Sequence, residues 1–227
     1  MQDPGTLMLM VVMRDIEAPL ARLKELGAPV VTTGGVPVNV GGPIRAVVLR
    51  DPAGHFVQLV QAALPPGAAG SNGNILGVRL RHTVENLERA LELYRDALGL
   101  RGPTQIPPYA SFAPVLDLIG LPHDTQYRFT MLTVPTSGLG IELIEFMGAG
   151  RPAEPASIAD PGETRLQLRV ADVDAATAAL TQAGGTVIST GGRPLELPAG
   201  NPMLKAGIVR DPDGLFLVLI EAPPASQ

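Results

Sequence analysis

The sequence predicts an α+β protein built from repeated βαβββ units, and three observations carry that expectation. The phrase "VVLRDPAGHFVQLVQ" (residues 47–61) has a near echo in "GIVRDPDGLFLVLIEA" (residues 207–222), each being two apolar runs around an Asp-Pro-x-Gly turn. Laid over one another without a gap, "RDIEAPLARLKELGAPVVTTGG" (14–35) and "ADVDAATAALTQAGGTVISTGG" (171–192) share Asp15/Asp172, Leu23/Leu180, Gly27/Gly184 and a terminal Gly-Gly. The middle of the chain reads the same way, so the count of units is three.

The elements of each unit follow from local chemistry. In the first, the apolar run "MLMVVM" (8–13) is too short for a membrane span and lacks a preceding basic segment, so it reads as a strand. Asp15 and Asp172 stand where an acceptor caps a helix, and Gly27 and Gly184 follow the last helical turn. In the second unit "GVRLRHTV" (77–84) alternates, and "ENLERALELYRDALGL" (85–100) carries Leu87, Leu91, Tyr94 and Leu98 at helical spacing. "YRFTMLTV" (127–134) and "GIELIEF" (140–146) form its closing hairpin. Residues 103–126 are an insertion whose "FAPVLDLIGLP" predicts a short helix over the sheet. Pro/Gly/Ala-rich stretches at 62–73 and 148–162 read as linkers.

Composition bounds the function. The 227 residues are 45% hydrophobic, enough for a core without staples. No cysteine is present, which excludes disulfides, thiolate metal sites and a cysteine nucleophile, and points to a reducing, cytoplasmic setting. A net charge of -5 without any Lys/Arg run argues against nucleic-acid or anionic-membrane binding. Phosphate-loop, nucleophile-elbow, metalloprotease and dinucleotide fingerprints are absent.

The helix ending "LELYRDALGL" (91–100) and the "RDPxG" hairpins at 50–54 and 210–214 resemble the vicinal oxygen chelate superfamily, which holds glyoxalase I, extradiol dioxygenases, fosfomycin-resistance enzymes and bleomycin-binding proteins. The resemblance covers almost the whole chain. It implies that two units join into a cup-shaped, eight-stranded mixed sheet with the helices outside and a ligand inside. The middle unit looks like a first-half module and the other two like second-half modules. Residues 75–147 and 163–222 are therefore expected to form one complete cup, leaving residues 1–63 as a single unit unpaired within the chain, completed across a homodimer or by a preceding module absent here.

The resemblance also implies where a metal would sit, on the inward faces of each unit's first and fourth strands. Those positions hold Met8 and Gln58, Arg79 and Glu142, and Arg165 and Val218. Only Glu142 keeps a ligand's chemistry, and arginine has no lone pair to give, so neither a metal nor another cofactor is expected. His82 faces the helices by alternation and His55 follows a turn. His123, beside Asp124 in the insertion, remains a candidate acid or base.

Alternation turns Arg79, Arg81 and Thr83 inward from one first strand, and Arg165, Gln167 and Arg169 from another. The expectation is a cluster in which Arg79 and Arg165 bracket Glu142, either as a plain ionic cross-link or as an anion-binding site, with Tyr109 and Tyr127 able to add a hydroxyl. The first unit's Met8, Met10, Val12, Phe56, Gln58 and Val60 make a softer surface, suited to packing. Three functions stay open. One is a metal-independent, glyoxalase-like enzyme with Glu142 as base; another is a cup that binds a small, anionic organic molecule without breaking bonds. The third is a metal-dependent lyase or dioxygenase with unusual ligands.

Overall fold

The structure is a computed structural model, described for residues 1–63, 73–148, 157–160, 163–198 and 203–221. Most of the two expected linkers, and residue 222 at the end of the expected third unit, lie outside the described residues. The first unit runs β1 (Leu7–Met13), α1 (Glu17–Glu25), β2 (Val38–Gly41), β3 (Ile44–Arg50) and β4 (Phe56–Gln61). The second runs β5 (Ile75–Thr83), α2 (Leu87–Leu91, continued by a π-helical turn over Glu92–Ala97), α3 (Ala113–Ile119), β6 (Tyr127–Thr133) and β7 (Gly140–Phe146). The third runs β8 (Arg165–Val170), α4 (Val173–Gln182), β9 (Thr186–Val187), β10 (Leu195–Leu197), β11 (Leu204–Arg210) and β12 (Phe216–Glu221).

The caps anticipated from the sequence are made. Asp172 Oδ1 accepts from the Ala175 amide and Asn86 Oδ1 from the Arg89 amide, while Asp15 acts one residue further out by accepting from the Glu17 amide. Both Asp-Pro-x-Gly turns close in one way. Asp51 Oδ1 accepts from the amides of Ala53 and His55, and Asp211 Oδ1 from those of Asp213 and Leu215, with Gly54 and Gly214 at φ of 95° and 105°. The repeat in the sequence is thus a repeat of hydrogen-bond geometry.

Sheet pairing departs from the expected domain plan. β1 pairs antiparallel with β5, so units one and two share one curled sheet in the order β2-β3-β4-β1-β5-β7-β6. The third unit forms a separate sheet, β10-β11-β12-β8, with β9 beside β11. The complete cup therefore joins residues 1–63 with 75–147, and the unit without a sheet partner is the third. The physical reason is that a first strand accepts any other first strand along its free edge, and the sequence of an edge does not state which one it will meet.

The shared sheet has seven strands rather than eight. The segment between α2 and α3 takes the place of the missing one and pairs with β6 in isolated bridges, Arg101 with Thr133 and Ala110 with Tyr127. A second departure concerns α3, which lies inside the cup and not on its outside. Its Leu116, Leu118 and Ile119 are buried with Met8, Met10, Ala46, Val48, Phe56 and Val60, each of the larger side chains contributing about 1.5–3 kcal/mol of burial. The methionine-lined surface of unit one is thus the seat of a helix supplied by unit two.

On the convex side, Ile16 and Leu20 close α1 onto Val47, Leu49 and Leu59. Leu87, Leu91 and Tyr94 of the second unit share a core with Leu166, Leu168, Val173, Leu180 and Leu217 of the third. Units two and three are joined through that core, and among the described residues no hydrogen-bonded pairing links their sheets. Among the described residues no helix is long and apolar enough to cross a membrane.

Candidate functional site

The inner face of the shared sheet brings four polar side chains to its centre. Arg81 and Glu142 are direct cross-strand partners on β5 and β7, and Met8 lies across from Arg81 on the other side. Arg81 Nε donates to Glu142 Oε1 in a short ion pair, both side chains being 9% exposed. Tyr127 stands close enough to feel both charges. Burial raises the pKa of its hydroxyl, Arg81 pulls it down and Glu142 pushes it up, with a net upward shift. Gln58 on β4, opposite Met10, completes the set.

Two polar atoms here lack a hydrogen-bond partner, Arg81 Nη1 and Gln58 Oε1, in residues that are 8% and 3% exposed. Buried polar groups are nearly always satisfied, so this donor and acceptor are both open to a polar group that enters the concave face. α3 occupies the unit-one side of the cup. The unit-two side keeps Phe129 exposed at 44%, with the part-exposed Met131 and the exposed Arg79. A Cβ at Gly140 would lie 3.2 Å from Met131 Sδ and 3.4 Å from Arg79 Cγ, so the glycine eases the packing of both side chains.

The sequence-predicted residues divide into three groups. Glu142, Arg81 and Tyr127 come together, with Arg79 one step along β5. Arg165, Gln167 and Arg169 stand exposed on β8 in the other sheet, so the bracket of Arg79 and Arg165 around Glu142 does not form; Arg81 holds Glu142 instead, as its register partner. His123 lies on the surface with its side chain 61% exposed and Nε2 2.8 Å from Asp117 Oδ1. Tyr109 packs elsewhere, donating to Glu145, which also receives Arg128 Nε and the Leu87 amide.

A divalent metal does not fit the cup's donor set. Glu142 is engaged by a permanent cation, Arg81 offers no lone pair, and Met8, Met10 and a single amide oxygen complete the inward positions. Among the described residues, one group has ligand spacing, His82, Asp211 and Asp213, with donor atoms within 4.8 Å of one another. Much of its donor capacity is engaged within the fold, although His82 Nδ1 has no hydrogen-bond partner. Asp211 Oδ2 accepts from His82 Nε2 at 2.9 Å and from the Tyr94 hydroxyl at 2.6 Å, Oδ1 takes two amides, and Asp213 Oδ1 accepts from the Glu85 amide. Sequence reading gave His82 a packing role and missed this network, whose one visible signal was the acid that opens each turn.

Solved structures agree with this architecture. Glyoxalase I from Zea mays is 18% identical over 97% of this chain and 68% of its own, with a TM-score of 0.62. A mutant of that maize enzyme is 20% identical over 96% of this chain and 69% of its own, at 0.63. A putative dioxygenase from Bacillus subtilis is 14% identical over 98% and 63%, at 0.51. No curated protein matches. The family model of the Glyoxalase/Bleomycin resistance protein/Dioxygenase superfamily matches residues 78–219, more than half of the chain, and with the repeated units and their curled mixed sheet this places the protein in that superfamily.

Proposed function

We infer that the cup of units one and two binds a small organic anion without a metal, and that Arg81 is its recognition group. The observation that carries this reading is the unpartnered Arg81 Nη1, a buried charged donor left over after Glu142 has taken Nε. A carboxylate or similar oxyanion meets that nitrogen as guanidinium chemistry prefers. Gln58 Oε1 supplies an acceptor for a hydroxyl or amide hydrogen on the same molecule, and Phe129 and Met131 give its apolar part a surface. Arg79 at the open side adds a second positive charge.

Binding without bond breaking is the stronger form of the proposal. Glu142 Oε1 is held in a buried ion pair, so a proton-abstracting role for it requires that contact to open. The enzymatic form is favoured by one observation, the Tyr127 hydroxyl lying within the fields of both charges. Calorimetric titration with small carboxylates and their neutral amide isosteres tests the shared claim. Carboxylates bind at least about tenfold tighter than the isosteres if the guanidinium does the recognising, and equal affinities end the proposal. Glu142→Gln then separates the forms, because lost turnover at retained affinity identifies an enzyme. Stoichiometric divalent metal in protein purified without chelator would overturn the metal-free reading.

A further inference from the structure

We propose that the third unit carries a separate binding site, a groove beside α4 that takes the ammonium group of a free aliphatic monoamine. The inference goes beyond anion binding in the cup and stands independently of it. The groove has a volume of about 550 Å³ and runs between one face of α4 and the segment from β9 to β10. Thr177, Ala178 and Thr181 line it from the helix, and Val187, Gly192 and Pro194 from the other side.

The chain itself shows what this space accepts. Under the alignment that matches Gly27 with Gly184, the groove corresponds to the space between α1 and the Thr33–Gly35 turn, and Thr181 stands at the position of Lys24. In the first unit the Lys24 side chain crosses to that turn, and Nζ donates to the Gly35 carbonyl at 2.7 Å. The two turns share one conformation, with Gly34 and Gly35 at φ of 74° and 69° and Gly191 and Gly192 at 79° and 67°. The Gly192 carbonyl is thus set as the Gly35 carbonyl is, yet Thr181 turns back along its own helix, donating to the Thr177 carbonyl. The lysine's place is vacant and its acceptor is kept.

Two further observations favour a cation there. α1 carries Arg22 and Lys24 in its last turn, whereas α4 has no basic residue in its own, so the negative end of the α4 dipole is left uncompensated. At the position of Leu20, α4 has Thr177, a residue 6% exposed whose Oγ1 has no hydrogen-bond partner. A buried hydroxyl in the wall of a groove is open to an entering N–H donor. The remaining lining selects one charge and an apolar tail. Asp174 is already paired with Lys205, and Arg193 stands where the first unit has Val36, so a second cation is disfavoured. Ala178, Val187 and Pro194 suit an unbranched alkyl chain, as a lysine stem lies along apolar surface.

Titration of the full chain with n-pentylamine, followed by amide chemical shifts, tests the site. Saturable shifts confined to residues 177–194 and half complete at about 1–10 mM are expected, with n-pentanol at least about tenfold weaker because it lacks the charge. Equal binding of the alcohol, or amine shifts scattered over the acidic surface, overturns the proposal. Thr181→Lys supplies the ammonium from the chain, as Lys24 does, and weakens pentylamine binding at least about tenfold. Thr181→Val, which keeps the shape and adds no charge, leaves it within about twofold. Loss in both variants, or in neither, overturns the assignment. Unmoved amides in the rest of each variant's spectrum keep a folding defect from passing as a result.

Discussion

His82 Nε2 stands 2.9 Å from Asp211 Oδ2, and through that contact the turn of the third unit is latched to the first strand of the second. Both side chains are buried, and Tyr94 from the helix between them donates to the same carboxylate oxygen. The equivalent acid of the first unit, Asp51, instead meets His55 of its own turn at 3.0 Å in a half-exposed setting. One turn design, with the acid's Oδ1 closing the backbone, thus leaves Oδ2 free for two different uses: a local contact in one copy and a joint between modules in the other.

Asp211→Ala removes one partner from a buried pair and, with it, the oxygen that accepts from two amides. A loss of about 3–5 kcal/mol in urea unfolding is expected, the scale for stranding a buried charge. Asp51→Ala, its repeat counterpart, produces a much smaller change because the site it opens is reached by water. Equal losses in the two variants would show that the turn, and not the latch, is what Asp211 serves.

The latch also fixes a pH dependence. Burial works against a charged His82, but the carboxylates of Asp211 and Asp213 outweigh it and its pKa is raised. For Asp211, burial pushes up while His82 and Tyr94 pull down, and the net direction is down. A raised histidine stabilises fully below its unfolded value of about 6.5 and ceases to as pH climbs through the folded value. A lowered Asp stabilises above about 4 and ceases to as pH drops through its folded value. The stability difference between the protein and Asp211→Asn should therefore peak at about pH 4–6.5 and shrink toward pH 9. Asp213, whose pKa is raised by burial and in part by the Asp211 charge, pulls the other way, and the part due to Asp211 disappears in the variant. A difference that is flat with pH would mean that His82 is neutral in the fold.

In the cup, Arg81→Met leaves Glu142 buried without its cation, at a cost of about 3–5 kcal/mol. Adding Glu142→Leu to it returns stability to within about 1–2 kcal/mol of the starting protein, since two apolar side chains replace the ion pair in a space lined by Met8 and Met131. Anion binding, measured by calorimetry, stays lost in the double variant. A double variant as unstable as the single would show that the pair does more than neutralise itself.

Much of the fold was legible because it was written three times. Strand alternation turned Arg81, Glu142 and Gln58 each to the inner face of its own unit, and Asp172 declared its helix. Partnership was not legible, because the edges of β1, β5 and β8 present backbone groups that carry no address, and the leucines at their centres are alike. The Arg79–Glu142–Arg165 cluster failed for that reason together with register: Glu142 lies level with Arg81, two residues further along β5. Nor did the insertion's apolar run reveal whether its helix would cover the sheet from outside or fill the cup.

The placement of α3 depends on one backbone approach. Gly120 ends the helix at φ +67°, and a Cβ there would lie 2.7 Å from the Val31 carbonyl oxygen in the first unit. Thr32 secures the same crossing, donating from Oγ1 to the Leu118 carbonyl and accepting from the Val48 amide. Gly120→Ala meets both the left-handed backbone penalty of about 1–2 kcal/mol and a collision with backbone that has no side-chain freedom to yield. Gly99→Ala carries the first penalty alone, as nothing lies within 4 Å of its Cβ. The excess loss in Gly120→Ala therefore measures how tightly the inserted helix is seated. Faster proteolysis within residues 103–126 of that variant, with Gly99→Ala unchanged there, is the expected signature of a plug lifted from the cup; identical cleavage in the two would mean that α3 is held by its leucines alone.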